Sequence, residues 1–255
     1  MSFAFLIKVS MKKLKILCIH GIGGQDLDNN KFKKLKSDWL KSFNEANSAF
    51  NKDDIHFMPF DKHFKMQNAD LKDYMVLFYE TFLKKVTEEK NQKFFGIKNW
   101  FSNYPDMVVE FLQDRDGLRS FLRTELKNHI VQYQPDVIYA HSLGTLMCYD
   151  FFTQDENKIG FENITLITSG SQLGNTLLAK HNLQIPIVNL HVKFWYNLHN
   201  PNDMVFAKNS LQANHIQNFK EIKTEFIDRS NFNHKAEEYI KHQNTINEVW
   251  KKIIS

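Results

Sequence analysis

Apolar and polar positions along the chain alternate between two regimes. Short continuous apolar runs end in small or polar turn residues, and between them lie longer stretches in which apolar residues recur at helical spacing. The first run, "KLKILCIHGIGG" (13–24), suits a strand buried on both faces of a parallel sheet. From 29 to 49, Phe32, Leu35, Trp39, Leu40 and Phe43 mark one face of a helix. "DIHFMPF" (54–60) reads as a short strand. Helical patterns then occupy 69–90 and 107–133, the second bent or broken near Gly117. Between them lies an aromatic stretch without a clean period, "KFFGIKNWFSNYP".

The second half alternates more regularly. "DVIYAHS" predicts a strand and "GTLMCYDFFTQ" a helix, and "NITLITSGSQLG" (163–174) predicts another strand ending in small residues. "NLHVKFWYNLHNPNDMVF" (189–206) is a strand running into a turn-rich loop, and "EIKTEFIDRS" (221–230) is one more strand. "HKAEEYIKHQNTINEVWKKII" closes the chain as a helix. Strands alternating with helices imply right-handed βαβ units, so the predicted fold class is α/β, a mainly parallel sheet flanked by helices. One domain over 1–255 is expected, with 60–130, too long for a single crossover, as a helical insertion within it, for which a lid or cap is one of the open readings.

Composition narrows the class. At 42% hydrophobic and 24% charged, the 255-residue chain has the material for a packed core and is not disordered. With 23 Phe residues, its packing surfaces or binding cleft will be aromatic. The formal charge of +4 comes from lysines that often alternate with acids, which describes a solvated surface and not a nucleic-acid stripe. Cys18 and Cys148, both in apolar runs, read as buried thiols of a reducing compartment. "FAFLI" lacks a preceding basic region and a following cleavage site, and Met11 is a plausible alternative start that would make 1–10 a dispensable arm. No run reaches the length of a membrane span, so a cytoplasmic protein is expected.

In an open α/β sheet, reactive groups gather in the loops at the carboxyl ends of strands. In chain order those loops carry "HGIGG", "AHSLG", "SGSQLG", "HNPNDMV" and "DRSNFNH". In "AHSLG", Ala140 and Gly144 are small enough for a tight strand–Ser–helix turn, with the Ser142 hydroxyl raised at the head of a helix. An ordinary loop would carry similar residues, so the pentapeptide alone does not decide. An acyl-transfer oxyanion needs two N–H donors. Leu143 would supply one and Ile22 the other, Gly23 and Gly24 allowing close approach. A phosphate-cradling loop is excluded because neither GK[ST] nor GxGxxG spacing is present. A serine nucleophile needs a base and the base an orienting acid. Asp203 follows a later strand and His234 the last one, and the order Ser142, Asp203, His234 is that of the nucleophile-elbow hydrolases. His199, His215 and His242 rank below His234 as bases, and Asp228 is a fallback acid. His20 and His141 read as packing or hydrogen-bonding residues. No HExxH or Cys/His ligand set exists, so neither a metal nor another cofactor is expected.

Taken together, "LCIHGIGGQ", "AHSLGTLMCYDF", "ITSGSQLGN", "NLHNPNDMVF" and "NHKAEEYI" resemble the α/β-hydrolase superfamily, close to its bacterial serine esterase and lipase-like members. The resemblance covers about 13–60 and 134–255. It implies that Asp203 is the acid and that His20 and Gly21 belong to the oxyanion loop. The departures are Ala140 in place of the usual Gly, and Asn200 where an acidic residue is common. The expected activity is hydrolysis of a small-molecule or lipid ester, with thioesterase, amidase and phospholipase variants sharing the machinery. A binding module that keeps the fold without turnover is the alternative from another class. Phe94, Phe95, Trp100, Phe101 and Tyr104 are read as packing the insertion onto the core in preference to forming a lid or a membrane-surface contact.

Overall fold

Among the described residues six strands pair edge to edge, all parallel, in the order β2-β1-β3-β4-β5-β6. They are β1 (Ile16–Ile19), β2 (Ile55–Phe57), β3 (Val137–His141), β4 (Thr165–Ser169), β5 (Phe194–His199) and β6 (Phe219–Lys223). The computed structural model describes residues 13–21, 29–60, 110–157, 159–174, 183, 186–203, 209–228 and 233–255. The helix expected over 69–90, the aromatic segment 94–104 and most of the 60–130 insertion lie outside the described residues. So do 1–12, the stretch read as an N-terminal arm.

Alternation along the strands divides the core into two layers. Leu17, Ile19, Ile138, Ala140, Leu166 and Trp195 face one side, where they pack with α2 (Leu118–Tyr133) and α3 (Leu143–Phe152). Ile16, Cys18, Val137, Tyr139, Ile167, Tyr196 and Leu198 face the other, against α1 (Asn29–Ala46) and the C-terminal helices. Helices on both faces are why the central strands read as unbroken apolar runs. The abundant aromatic residues fill the second layer edge to face. Tyr139 meets Trp39 at 5.3 Å and Phe43 at 5.7 Å, and Trp250 meets Phe50 at 5.2 Å. Of the α1 positions read from periodicity, Trp39 and Phe43 are buried and Phe32, Leu35 and Leu40 pack partly against them. Both cysteines are buried, and burial raises both thiols above their ordinary range.

One expected break is present, and two boundaries differ from the sequence expectation. The break expected near Gly117 is a reversal through Asp116 (φ 53°) and Gly117 (φ 73°) just before α2. There the Asp114 carboxylate accepts the Arg119 N–H at 2.8 Å. The closing helix, by contrast, is not continuous. α4 (Ala236–Lys241) stops where His242 turns extended (ψ 138°), and the His242 ring accepts the Asn244 N–H to start the next turn. A π-helical turn (Ile246–Trp250) follows, which lets Trp250 bury its ring and donate to the Ile240 carbonyl at 2.9 Å. β6 likewise begins and ends earlier than expected, leaving 224–228 as part of the loop that leads to His234.

Strand β3 passes directly into α3, and the contact that allows this is at Gly144. A Cβ there would lie 2.5 Å from the Ile19 carbonyl oxygen and 2.9 Å from that of His20. Both obstacles are backbone, of the last β1 residue and the one after it, and cannot swing aside. Gly144→Ala is expected to lower stability by about 1–3 kcal/mol through overpacking, read as a lower urea midpoint. An unchanged midpoint would show that the helix can move off the strand.

Candidate active site

Because every strand runs the same way, the loops after β1, β3, β4 and β5 emerge at one edge of the sheet. The order changes direction between β1 and β3, which makes this edge the place where open α/β sheets form clefts. Four of the five loops quoted above follow these strands, and the fifth leads from β6 to α4.

Ser142 is the residue between β3 and α3. Its N–H extends the sheet by donating to the Ser169 carbonyl at 3.0 Å. Its backbone then adopts φ 55°, ψ −124°, a conformation that side-chain-bearing residues avoid at a cost on the order of 1–3 kcal/mol. The surroundings hold the turn in place. Thr145 donates to the Ser142 carbonyl both from its N–H (2.9 Å) and from its hydroxyl (2.7 Å), and the hydroxyl also reaches Ser171. Leu143, the first residue of α3, is fully buried, and its N–H belongs to the first turn, which has no carbonyl partner within the helix. Gly21 lies directly over the serine, since a Cβ on it would fall 2.5 Å from Ser142 Cβ and 3.0 Å from Oγ. The loop after β1 therefore meets the serine side chain at Gly21. Ile22, Gly23 and Gly24 lie outside the described residues.

Asp203 and His234, thirty-one residues apart, meet through a 2.7 Å hydrogen bond from His234 Nδ1 to Asp203 Oδ2. Asp203 is fully buried and His234 nearly so. Two asparagines fasten their loops together. Asn200 donates to the carbonyls of Phe226 (3.1 Å) and Asn233 (3.2 Å) while its Oδ1 accepts the Asn202 N–H. Asn233 in turn donates to the Asn202 carbonyl at 2.7 Å and accepts the Asp228 N–H. This explains the departure at Asn200, because a carboxylate there would lack the two N–H donors. A second donor reaches the acid as well: the Tyr239 hydroxyl lies 2.6 Å from the same Oδ2.

The competing histidines are engaged elsewhere. His199 faces Glu221 at 3.8 Å, His215 bonds the Ile187 carbonyl, and His242 caps a helical turn. Asp228 contributes backbone to the loop beside Asn233. His20 donates to the Gly21 carbonyl at 2.6 Å and stacks on Phe60.

His141 has a more specific place than a packing residue. Its ring lies 4.7 Å, centroid to centroid, from that of His234. Its Nδ1 is 3.0 Å from Ser169 Oγ, which is itself 2.8 Å from the Tyr139 hydroxyl. Burial first, and then the neighbouring His234, hold the His141 imidazole well below its ordinary pKa, so it stays neutral beside His234. The sequence offered no signal for Tyr239, Asn233 or Ser169. Each is identified only by what it touches.

Among the described residues no group of three or more His, Cys, Asp or Glu side chains could hold a metal ion. No helix among them is long and apolar enough to cross a membrane. The structure defines an α/β protein whose sheet edge carries Ser142 beneath the loop after β1 and, on the neighbouring loops, the bonded Asp203–His234 pair. Comparison of the chain with protein-family models, curated proteins and solved structures gives no match.

Neutral His141 has a consequence for stability. In the unfolded chain the imidazole takes up a proton near pH 6.5, whereas the folded state resists it. The unfolded state therefore binds more protons as the pH falls, and stability present above pH 6.5 is lost below it. The slope approaches about 1.4 kcal/mol per pH unit for one such group. Urea unfolding at pH 7.5, 6 and 5 should show this loss in the native sequence and a shallower one in His141→Gln. Parallel curves for the two proteins would refute the assignment.

Proposed function

We propose that the protein is a serine hydrolase of the α/β-hydrolase type, cleaving a carboxylic ester through an acyl-enzyme. The observation that carries the reading is the buried 2.7 Å hydrogen bond between His234 and Asp203, which unites two distant loops at the sheet edge where Ser142 occupies its strained turn. A buried acid–imidazole pair held by interlocking asparagines fixes one tautomer: Nδ1 carries the proton toward the carboxylate, and Nε2 is the nitrogen for proton exchange.

In the proposed reaction Nε2 of His234 takes the proton from Ser142 Oγ as the hydroxyl oxygen attacks the acyl carbonyl. The carbonyl π electrons move onto oxygen, where the N–H groups of Leu143 and Ile22 would receive the negative charge. The imidazolium, stabilised by Asp203, returns its proton to the departing alcohol as the ester bond breaks. Water, deprotonated by the same imidazole, then attacks the acyl-serine and regenerates the hydroxyl. A serine already at the head of α3 needs no rearrangement as charge develops, because the first-turn N–H groups and the helix dipole point at it. Thioesters and amides would enter the same chemistry, and acyl-chain length is left to a substrate panel. No cofactor has a role in these steps.

The purified protein should hydrolyse p-nitrophenyl esters and react covalently with a fluorophosphonate. Ser142→Ala is expected to abolish labelling and lower kcat by about 10⁴-fold or more, and Asp203→Asn to lower kcat to a similar order with labelling much slowed. Labelling that persists in Ser142→Ala would overturn the nucleophile. A protein that binds acyl ligands but never turns them over would instead be a binding module on this fold.

A further inference from the structure

Asp203 Oδ2 accepts two hydrogen bonds, one from His234 Nδ1 at 2.7 Å and one from the Tyr239 hydroxyl at 2.6 Å. We infer that Tyr239 is a positioning residue, which holds the acid and sets how strongly it supports the His234 imidazolium; the inference rests on the hydrolase reading above. Tyr239 reaches the acid from α4, five residues after the histidine and on a different element from Asp203, so the three groups close a bridge between the β5 loop and the first turns after β6.

Three features make the contact more than a core hydroxyl finding a partner. First, the phenol is fully buried and held as a rigid body: its ring meets Phe226 edge-on at 4.9 Å and His141 at 5.9 Å. Second, it remains a donor. Burial, and after it the Asp203 charge, push its ionisation well above the ordinary tyrosine range, so at any working pH the proton stays on the phenol. Third, it shares an oxygen with the imidazole instead of taking the carboxylate's other face. Two donors on one oxygen divide its charge, so each draws on less of it than a sole donor would. The phenol both stops the carboxylate from rotating away from Nδ1 and reduces the stabilisation that Asp203 gives to protonated His234.

Each of these effects has a direction. With the phenol removed, more of the Oδ2 charge acts on the imidazole, which favours its protonated form. The acid limb of the kcat/KM profile, which reports the deprotonation of the free enzyme's base, then moves to higher pH. The carboxylate also loses an anchor on that oxygen, so the base is less well aimed and kcat falls while KM holds, since no substrate contact has changed.

Tyr239→Phe tests this directly. The expected result is an acid limb raised by about 0.5–1 pH unit and kcat lowered roughly tenfold with KM unchanged. Site-specific 3-fluorotyrosine at position 239, whose phenol is more acidic and donates more strongly, should move the limb the opposite way and keep kcat near that of the native protein. It also serves if Tyr239→Phe does not fold. A third readout needs no turnover: the downfield proton resonance of the His234 Nδ1–H, followed by NMR against pH, should titrate at a higher midpoint in Tyr239→Phe and a lower one with fluorotyrosine. A midpoint that stays put in both proteins would overturn the positioning role. Failure of the hydrolase reading would look different, since the native protein would then show neither ester turnover nor Ser142 labelling while the resonance still reported the coupling.

Discussion

Parallel strand direction is the constraint on which the rest of this structure depends. With the six described strands pointing one way, their carboxyl ends lie at the same edge, and residues scattered from His20 to His234 come to it together. Parallel neighbours require a crossover from the end of one strand to the start of the next. That is why both faces carry helices and why the central strands are apolar throughout. The position of the candidate site and the burial of the core are two outcomes of one topology.

At that edge, close backbone approach and strain are kept where packing can hold them. Gly144 lets α3 press on β1, and Gly21 lets the β1 loop lie over the Ser142 side chain. The positive φ of Ser142 is unfavourable by itself. It persists because the serine N–H is paired with Ser169, its carbonyl is paired twice with Thr145, and the adjoining helix is buried over its whole length. A strained, over-determined turn holds a hydroxyl in one place, and the proposed reaction requires that of it.

The second half of the site is held by polar contacts that leave little slack. Asn200 and Asn233 join the acid loop to the base loop through backbone carbonyls, and Tyr239 reaches the acid from the helix beyond. A buried carboxylate is tolerable only with donors around it, and here imidazole and phenol supply two on a single oxygen. Burial keeps His141 neutral, so its ring adds no positive charge beside His234.

Much of this was legible from local pattern. Apolar runs gave six strand positions, periodicity gave α1 and α3, and the order of Ser142, Asp203 and His234 along the chain identified the groups to compare. Such signals are local, because a strand's burial and a turn's small residues are encoded in adjacent positions. The break at His242, the early end of β6 and the roles of Tyr239, Asn200, Asn233 and Ser169 were not legible. Each depends on a partner far away in the chain: Ile240 and Trp250 for the broken helix, the β5 loop for Tyr239, the β3 residues Tyr139 and His141 for Ser169. By itself the sequence determined which segments become strands and which loops hold reactive side chains, since hydrophobic periodicity and turn chemistry are properties of neighbouring residues. Only the tertiary structure decided which polar groups meet inside, because a hydrogen bond between distant loops is set by how the parallel sheet brings them together.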